Sequence, residues 1–88
     1  MRKIKLTSKF DKDLKKIGLS AELIDVLHHL IHGIPLPAVY LDHQLKGELK
    51  DYRDCHVKND LVLLYRVIEN DESVELYRLN THSELFKN

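Results

Sequence analysis

Six histidines stand in a chain of 88 residues, and they fall into two groups with different chemical prospects. His28, His29 and His32 lie in a stretch whose apolar spacing reads as helix. His28 and His32 are four apart and share a face, which permits metal ligation, and Asp25 lies one turn before His29. The glutamate of an H-E-x-x-H motif is missing and no cysteine is near, so exposed helix histidines are the simpler reading. His43, His56 and His82 form the second group: one in a loop, one at a strand end, one just after the last strand. Loops and chain ends around an open sheet face are where residues distant in sequence converge. Asp60 lies in the turn after His56, and Arg78 near the end of the last strand. Together they offer imidazoles that titrate near neutral pH, a carboxylate and a fixed cation. Cleavage of RNA at its own 2′-OH needs that set. A base draws the hydroxyl proton, a cation stabilises the crowded phosphate, and an acid protonates the leaving 5′-oxygen. No metal and no other cofactor enters such a scheme. The other reading open at this point is scattered polar residues with no common site.

Other chemistries have weaker footing. Three scattered glycines cannot build a phosphate loop. Cys55 precedes His56, but neighbours in a strand point to opposite faces, so Cys55 reads as a small core residue. Tyr52, Tyr65 and Tyr77 read as sheet packing, while Tyr40 or Phe86 could stack on a base.

The elements that must position these residues are legible in outline. Ile4 and Leu6 alternate with lysines in a short strand, Arg2 to Leu6. Ser8 reads as an N-cap with Asp11 in capping-box position; Phe10, Leu14 and Ile17 follow at helical spacing, and Gly18 ends the helix. A second helix starts at Ser20, carries an apolar stripe of Leu23, Ile24, Leu27, Leu30 and Ile31, and stops at Gly33. Residues 33–47, with Pro35 and Pro37, read as an extended loop holding Tyr40, Asp42 and His43. Three strand candidates follow: Lys50 to Val57, Leu61 to Ile68 and Val74 to Leu79, joined by short turns as an antiparallel meander. Thr81 to Phe86 reads as one helical turn. The expected class is α+β, in the order β-α-α-β-β-β. Two helices cover one face of such a sheet and leave the other available for a site.

Size and charge narrow the rest. At 10.4 kDa the chain is expected to form one domain over residues 1–88. Its 43% hydrophobic and 32% charged residues are globular composition. The longest apolar run, Leu61 to Tyr65, is far short of the ~20 residues that cross a bilayer. No apolar segment follows the basic start, and the single cysteine cannot form an internal disulfide. The expected compartment is a reducing cytoplasm, with no membrane partner. Formal net charge is zero, yet residues 1–16 carry seven basic and two acidic side chains. Lys9, Lys12 and Lys16 fall on the polar side of the first helix, as a basic patch or a solvated face.

The C-terminal half resembles the YafQ branch of the RelE/ParE bacterial toxins. The resemblance rests on Pro35-Leu36-Pro37-Ala38-Val39-Tyr40, Asp42-His43, Leu45 and Gly47, then Tyr52-Arg53-Asp54 with His56. It continues through Asp60, Tyr65, Arg78, Thr81-His82 and Leu85-Phe86, and so covers residues 35–86. It implies a RelE-like fold with two N-terminal helices on one face of an antiparallel sheet. It implies a ribosome-dependent endoribonuclease that cuts mRNA in the decoding site, and a cognate antitoxin. The family's active-site positions correspond to His43, His56, Asp60, Arg78, His82 and Phe86. The implied roles are His82 as general acid and Asp60 or His43 as base. His56 and Arg78 hold the phosphate, and Phe86 packs near the cut. Lys9, Lys12 and Lys16 would contact ribosomal RNA. Two positions depart from the family's prototype: Leu61 stands in place of a tryptophan, and Asn80 in place of a glycine. ParE-type relatives share the fold and act on gyrase, so the competing reading is a non-enzymatic module that binds a protein target.

Overall fold

The computed structural model describes residues 1–86. Strand β1 (Lys3–Leu6) leads into helices α1 (Ser8–Ile17) and α2 (Ala21–His32). A short strand β2 (His43–Gln44) precedes the meander β3 (Arg53–Lys58), β4 (Leu61–Ile68) and β5 (Ser73–Thr81). One turn of helix, α3 (His82–Leu85), follows. The sheet order is β1-β5-β4-β3-β2. The expected α+β class and β-α-α-β-β-β order are present, with two differences. β1 runs parallel to β5, Lys3 opposite Ser73 through Leu6 opposite Leu76, so the sheet is mixed rather than antiparallel throughout. Everything between the two strands serves as the long connection that a parallel pair needs, and side-chain alternation carries no strand direction. The second difference is β2. It places His43 on a strand, opposite Asp54, within what reads from sequence as loop.

The helix ends follow local chemistry. Thr7, not Ser8, caps α1: its hydroxyl oxygen accepts from the Phe10 N–H at 3.0 Å and donates to the Tyr77 carbonyl at 2.7 Å. Both residues can cap, and the tie to β5 selects the first. Ser20 caps α2 by accepting from the Leu23 N–H at 3.2 Å. Gly33 closes it in the left-handed region at φ 68°. The buried stripe of α2 is Leu23, Val26 and Leu30; Ile24, expected inside, is 55% exposed. With Phe10 of α1, these residues pack on Cys55, Val57, Leu63, Tyr65, Val74, Leu76 and Leu79 of the sheet. In the long connection, a turn at Ala38–Tyr40 buries Tyr40, whose hydroxyl donates to Asp25 at 2.5 Å. That hydrogen bond, with burial, pushes the phenol up to about 12. No helix is long and apolar enough to cross a membrane among the described residues.

Beyond Leu76 the outer edge of β5 has no strand beside it, because β1 ends there. α1 takes over. Its buried Asp13 accepts from the Leu79 N–H at 2.9 Å and from Arg78 Nε at 2.7 Å and Nη2 at 3.2 Å. Burial alone would raise the Asp13 carboxyl. The Arg78 hydrogen bond and charge, the Leu79 N–H and Asn80 outweigh it and hold the group below its ordinary value of 3.8. A lowered folded value stabilises above the unfolded value, and that stability is lost as pH falls through the folded one. Asp13→Asn should therefore cost about 1.5–3 kcal/mol in urea unfolding at pH 7. The gap to wild type should close as the pH falls below the ordinary carboxylate range.

Candidate active site

On β3 and β4, side chains alternate between the helix-packed face and the other. Cys55, Val57, Leu63 and Tyr65 join the core under the helices. Asp54, His56, Val62 and Leu64 point the other way. Register then assembles the uncovered face in rows. His43 lies opposite Asp54, Asp54 opposite Leu64, and Leu64 opposite Arg78. One step along, His56 lies opposite Val62, and Val62 opposite Asn80. Val62 and Leu64 are buried on this face as well, so the polar residues stand on an apolar floor.

Asp54 is the centre of the arrangement. It is 1% exposed. His43 Nδ1 lies 3.0 Å from its Oδ1, but the ring N–H aligns with the Leu41 carbonyl, also at 3.0 Å. Asp54 Oδ1 is left without a hydrogen bond among the described residues. Burial raises the carboxyl above its ordinary value, and positive charge on His43, His56 and His82 pulls it back. Three imidazoles from three separate stretches thus act on one buried carboxylate.

Each is held by a separate set of contacts. His43 sits between Asp42 and Gln44, and both are clasped by Arg53. The guanidinium donates to the Asp42 carboxylate from Nε at 3.1–3.2 Å and from Nη2 at 2.8 Å, and to Gln44 Oε1 from Nη1 at 3.3 Å. The buried Tyr65 hydroxyl also donates to Asp42, and burial with that bond drives the phenol upward. His56 stands beside a β-bulge at Val57, where the β3–β4 register shifts. His82 opens α3, which Thr81 caps by accepting from the Glu84 N–H at 3.2 Å. Its own N–H donates to the Asp60 carbonyl at 3.3 Å. The Phe86 ring lies 4.6 Å from the His82 ring, centroid to centroid.

The expected residues therefore meet unequally. His43 lies 3.0 Å from Asp54, His56 shares its strand face, and the charge of His82 acts on the same carboxyl, with Phe86 against His82. Asp60 reaches the group through its backbone, and its side chain is exposed. Arg78 shares the Asp54 row, but Asp13 occupies its Nε and Nη2, leaving Nη1 outside that pair. Lys9, Lys12 and Lys16 are exposed on α1, and Lys9 Nζ reaches to 5.9 Å from the Tyr77 ring centre. Cys55 is fully buried and its thiol is pushed up by burial, as suits a core residue. On α2 the His28 and His32 rings lie 4.6 Å apart, while His29 Nδ1 is 2.8 Å from the Asp25 carbonyl. Among the described residues, no three His, Cys, Asp or Glu side chains converge to hold a metal ion. Asp54 is the residue that sequence reasoning passes over. Its signal was present: a carboxylate two residues from His56 in a strand shares its face.

Residues 2–87 match the family described as "Bacterial toxin of type II toxin-antitoxin system, YafQ". The mRNA interferase toxin YafQ of Escherichia coli K12 is 39% identical over 83 residues, covering 94% of this chain and 83% of that protein. A copper-bound mutant toxin from Helicobacter pylori has a similar structure, with a TM-score of 0.90 and 40% identity, covering 98% of this chain and 100% of the other. YafQ in the E. coli DinJ–YafQ complex matches with a TM-score of 0.82 and 36% identity, over 98% and 99% of the two chains. With sequence and fold in agreement over nearly its whole length, the chain belongs to the YafQ toxins of type II toxin–antitoxin systems and carries their RelE-like α+β fold.

Proposed function

We propose that this toxin is a ribosome-dependent endoribonuclease of the cytoplasm that cuts mRNA by acid–base chemistry, and that a cognate antitoxin neutralises it. The observation that carries the reading is His43 at 3.0 Å from the buried Asp54, with His56 on the same strand face and with His82, at the end of β5, whose charge acts on that carboxyl. The name of the E. coli relative, an mRNA interferase toxin, supports the substrate. The DinJ–YafQ complex of E. coli supports an antitoxin partner.

In this reading the 2′-oxygen attacks the adjacent phosphorus and the P–O5′ bond breaks. The 2′-OH proton passes to His43 or Asp60, and His82 gives a proton to the departing 5′-oxygen. His56 and the free edge of Arg78 bear the charge that develops on the phosphate. Phe86 packs on His82 and limits its rotation. Asp54 touches no substrate; it is a positioning residue whose carboxylate stands 3.0 Å from the His43 ring and orients the site's imidazoles. The apolar floor of Val62 and Leu64 strengthens those interactions by excluding water. Side chains supply the acid, the base and the cation, so the scheme routes no step through a metal, although a toxin of the same fold from H. pylori binds copper.

Primer extension on a translated message after induction tests the reading, against the same RNA free of ribosomes. Cuts confined to the translated sample are expected. Their absence would favour a protein-binding module of the same fold. His82→Ala should lower the cleavage rate about 10²- to 10⁴-fold with the thermal transition unchanged, and toxin stripped of metal with EDTA and desalted before it is added to magnesium-bearing ribosomes should cut at the wild-type rate. Undiminished cutting by the variant would remove His82 from the acid role, and activity lost on stripping and regained only with an added transition metal would overturn the metal-free scheme. Lys9→Glu with Lys12→Glu should weaken co-sedimentation with ribosomes and flatten its salt dependence. Unchanged binding would return these lysines to a solvated helix face.

A further inference from the structure

One row along the uncovered face from Asp54 and Arg78, two tyrosines lie where packing under the helices does not need them. Tyr52 precedes Asp54 by two residues and so shares its face. Its ring stacks on Tyr77, with centroids 4.8 Å apart and planes at 30°. Tyr77 is the extra residue of a second β-bulge: Leu64 lies opposite Arg78 and Tyr65 opposite Leu76, with Tyr77 unpaired between them. Cations flank both rings. Lys9 Nζ stands 5.9 Å from the Tyr77 centre, and the Arg66 guanidinium carbon 5.3 Å from that of Tyr52. Arg66 is fixed through Nε by Glu75 at 3.0 Å, whereas Lys9 is exposed on a long stem.

We propose that the Tyr52–Tyr77 pair is a stacking platform for the base of a nucleotide flanking the cut, with Lys9 and Arg66 taking its phosphates. The inference rests on the nuclease reading for its substrate class. Successive side chains on one face of a strand are about 7 Å apart, so the platform lies one step from the Asp54–Arg78 row, within reach of a neighbouring nucleotide. Aromatic rings with flanking cations bind single strands without needing a particular base. Lys9 is the movable cover: it leaves the Tyr77 face for a phosphate when a base takes its place. Tyr52, braced from behind, keeps the Tyr77 ring fixed, and the bulge ties that ring to its neighbour Arg78. Substrate held here would be positioned, not chemically altered.

The test uses the full chain and an uncleavable single-stranded 2′-O-methyl RNA hexamer, followed by NMR of the tyrosine rings. Binding should shift Tyr52 and Tyr77 and leave the core ring of Tyr65 in place. Tyr77→Leu should weaken binding about tenfold or more, and Tyr77→Phe should restore it. In ribosome-programmed cleavage, Tyr77→Leu should raise KM with little change in kcat. Hexamer binding that shifts only histidines, or none, overturns the platform, as does a Tyr77→Leu variant with unchanged affinity. Tyrosine shifts without any cutting of translated message would retain the platform and refute the nuclease reading. Cutting without tyrosine shifts would do the reverse. If Tyr77→Leu impairs antitoxin binding and leaves hexamer affinity intact, the face belongs to the protein partner and the proposal falls.

Discussion

A carboxylate sealed from water with one oxygen lacking a hydrogen bond is costly to keep ionised, unless positive charge stands close around it. Asp54 is in that position, and the site is organised by it. Val62 and Leu64 form the dry floor that removes its solvent. Positive charge on His43, His56 and His82, from β2, β3 and α3, offsets part of that cost, and burial still holds the carboxyl above its ordinary value. None of the three can be placed by local structure alone. β2 is only two residues long, and it holds its register through the Arg53 clasp on Asp42 and Gln44. α3 is a single capped turn, fixed where the His82 N–H meets the Asp60 carbonyl. Two of the supporting pieces are thus too short to be stable alone, and the sheet register supplies the rest.

A second buried carboxylate sets the geometry on the other flank. Asp13 lets α1 finish the edge of β5 after β1 has ended, and it fixes Arg78 in the same contact. The helix that carries the basic patch and the strand that carries the cation are consequently locked together. Lys9 reaches the uncovered face because of that contact, over the bulged Tyr77. The arrangement also limits Arg78: two of its three nitrogens are committed to Asp13, and the third lies outside that pair.

Much of this was readable in the residues, for identifiable reasons. Strand geometry alone separates Cys55 from His56. Apolar spacing and glycine stops gave both long helices. What stayed hidden depends on tertiary contacts. Thr7 and Ser8 are equal as caps until the Tyr77 carbonyl chooses between them. Val26 replaces Ile24 in the core because the sheet, not the helix, decides which side of α2 is inside. The direction of β1 leaves no mark on alternation. Asp54 escapes a reading of the sequence because an isolated carboxylate in a strand resembles a solvent-facing side chain until its neighbours are known. Tyr52 and Tyr77 read from sequence as sheet packing; they do pack on each other, but on the face that the helices leave open.

The most direct measurement is a double-mutant cycle on single-turnover cleavage of ribosome-bound message, with Asp54→Asn, His82→Ala and the pair, each checked for a native thermal transition. If Asp54 works by setting the imidazoles, each single change slows cleavage and the double variant is markedly less impaired than the product of the two losses. Losses that multiply as independent effects, or an Asp54→Asn enzyme as fast as wild type, would contradict the account.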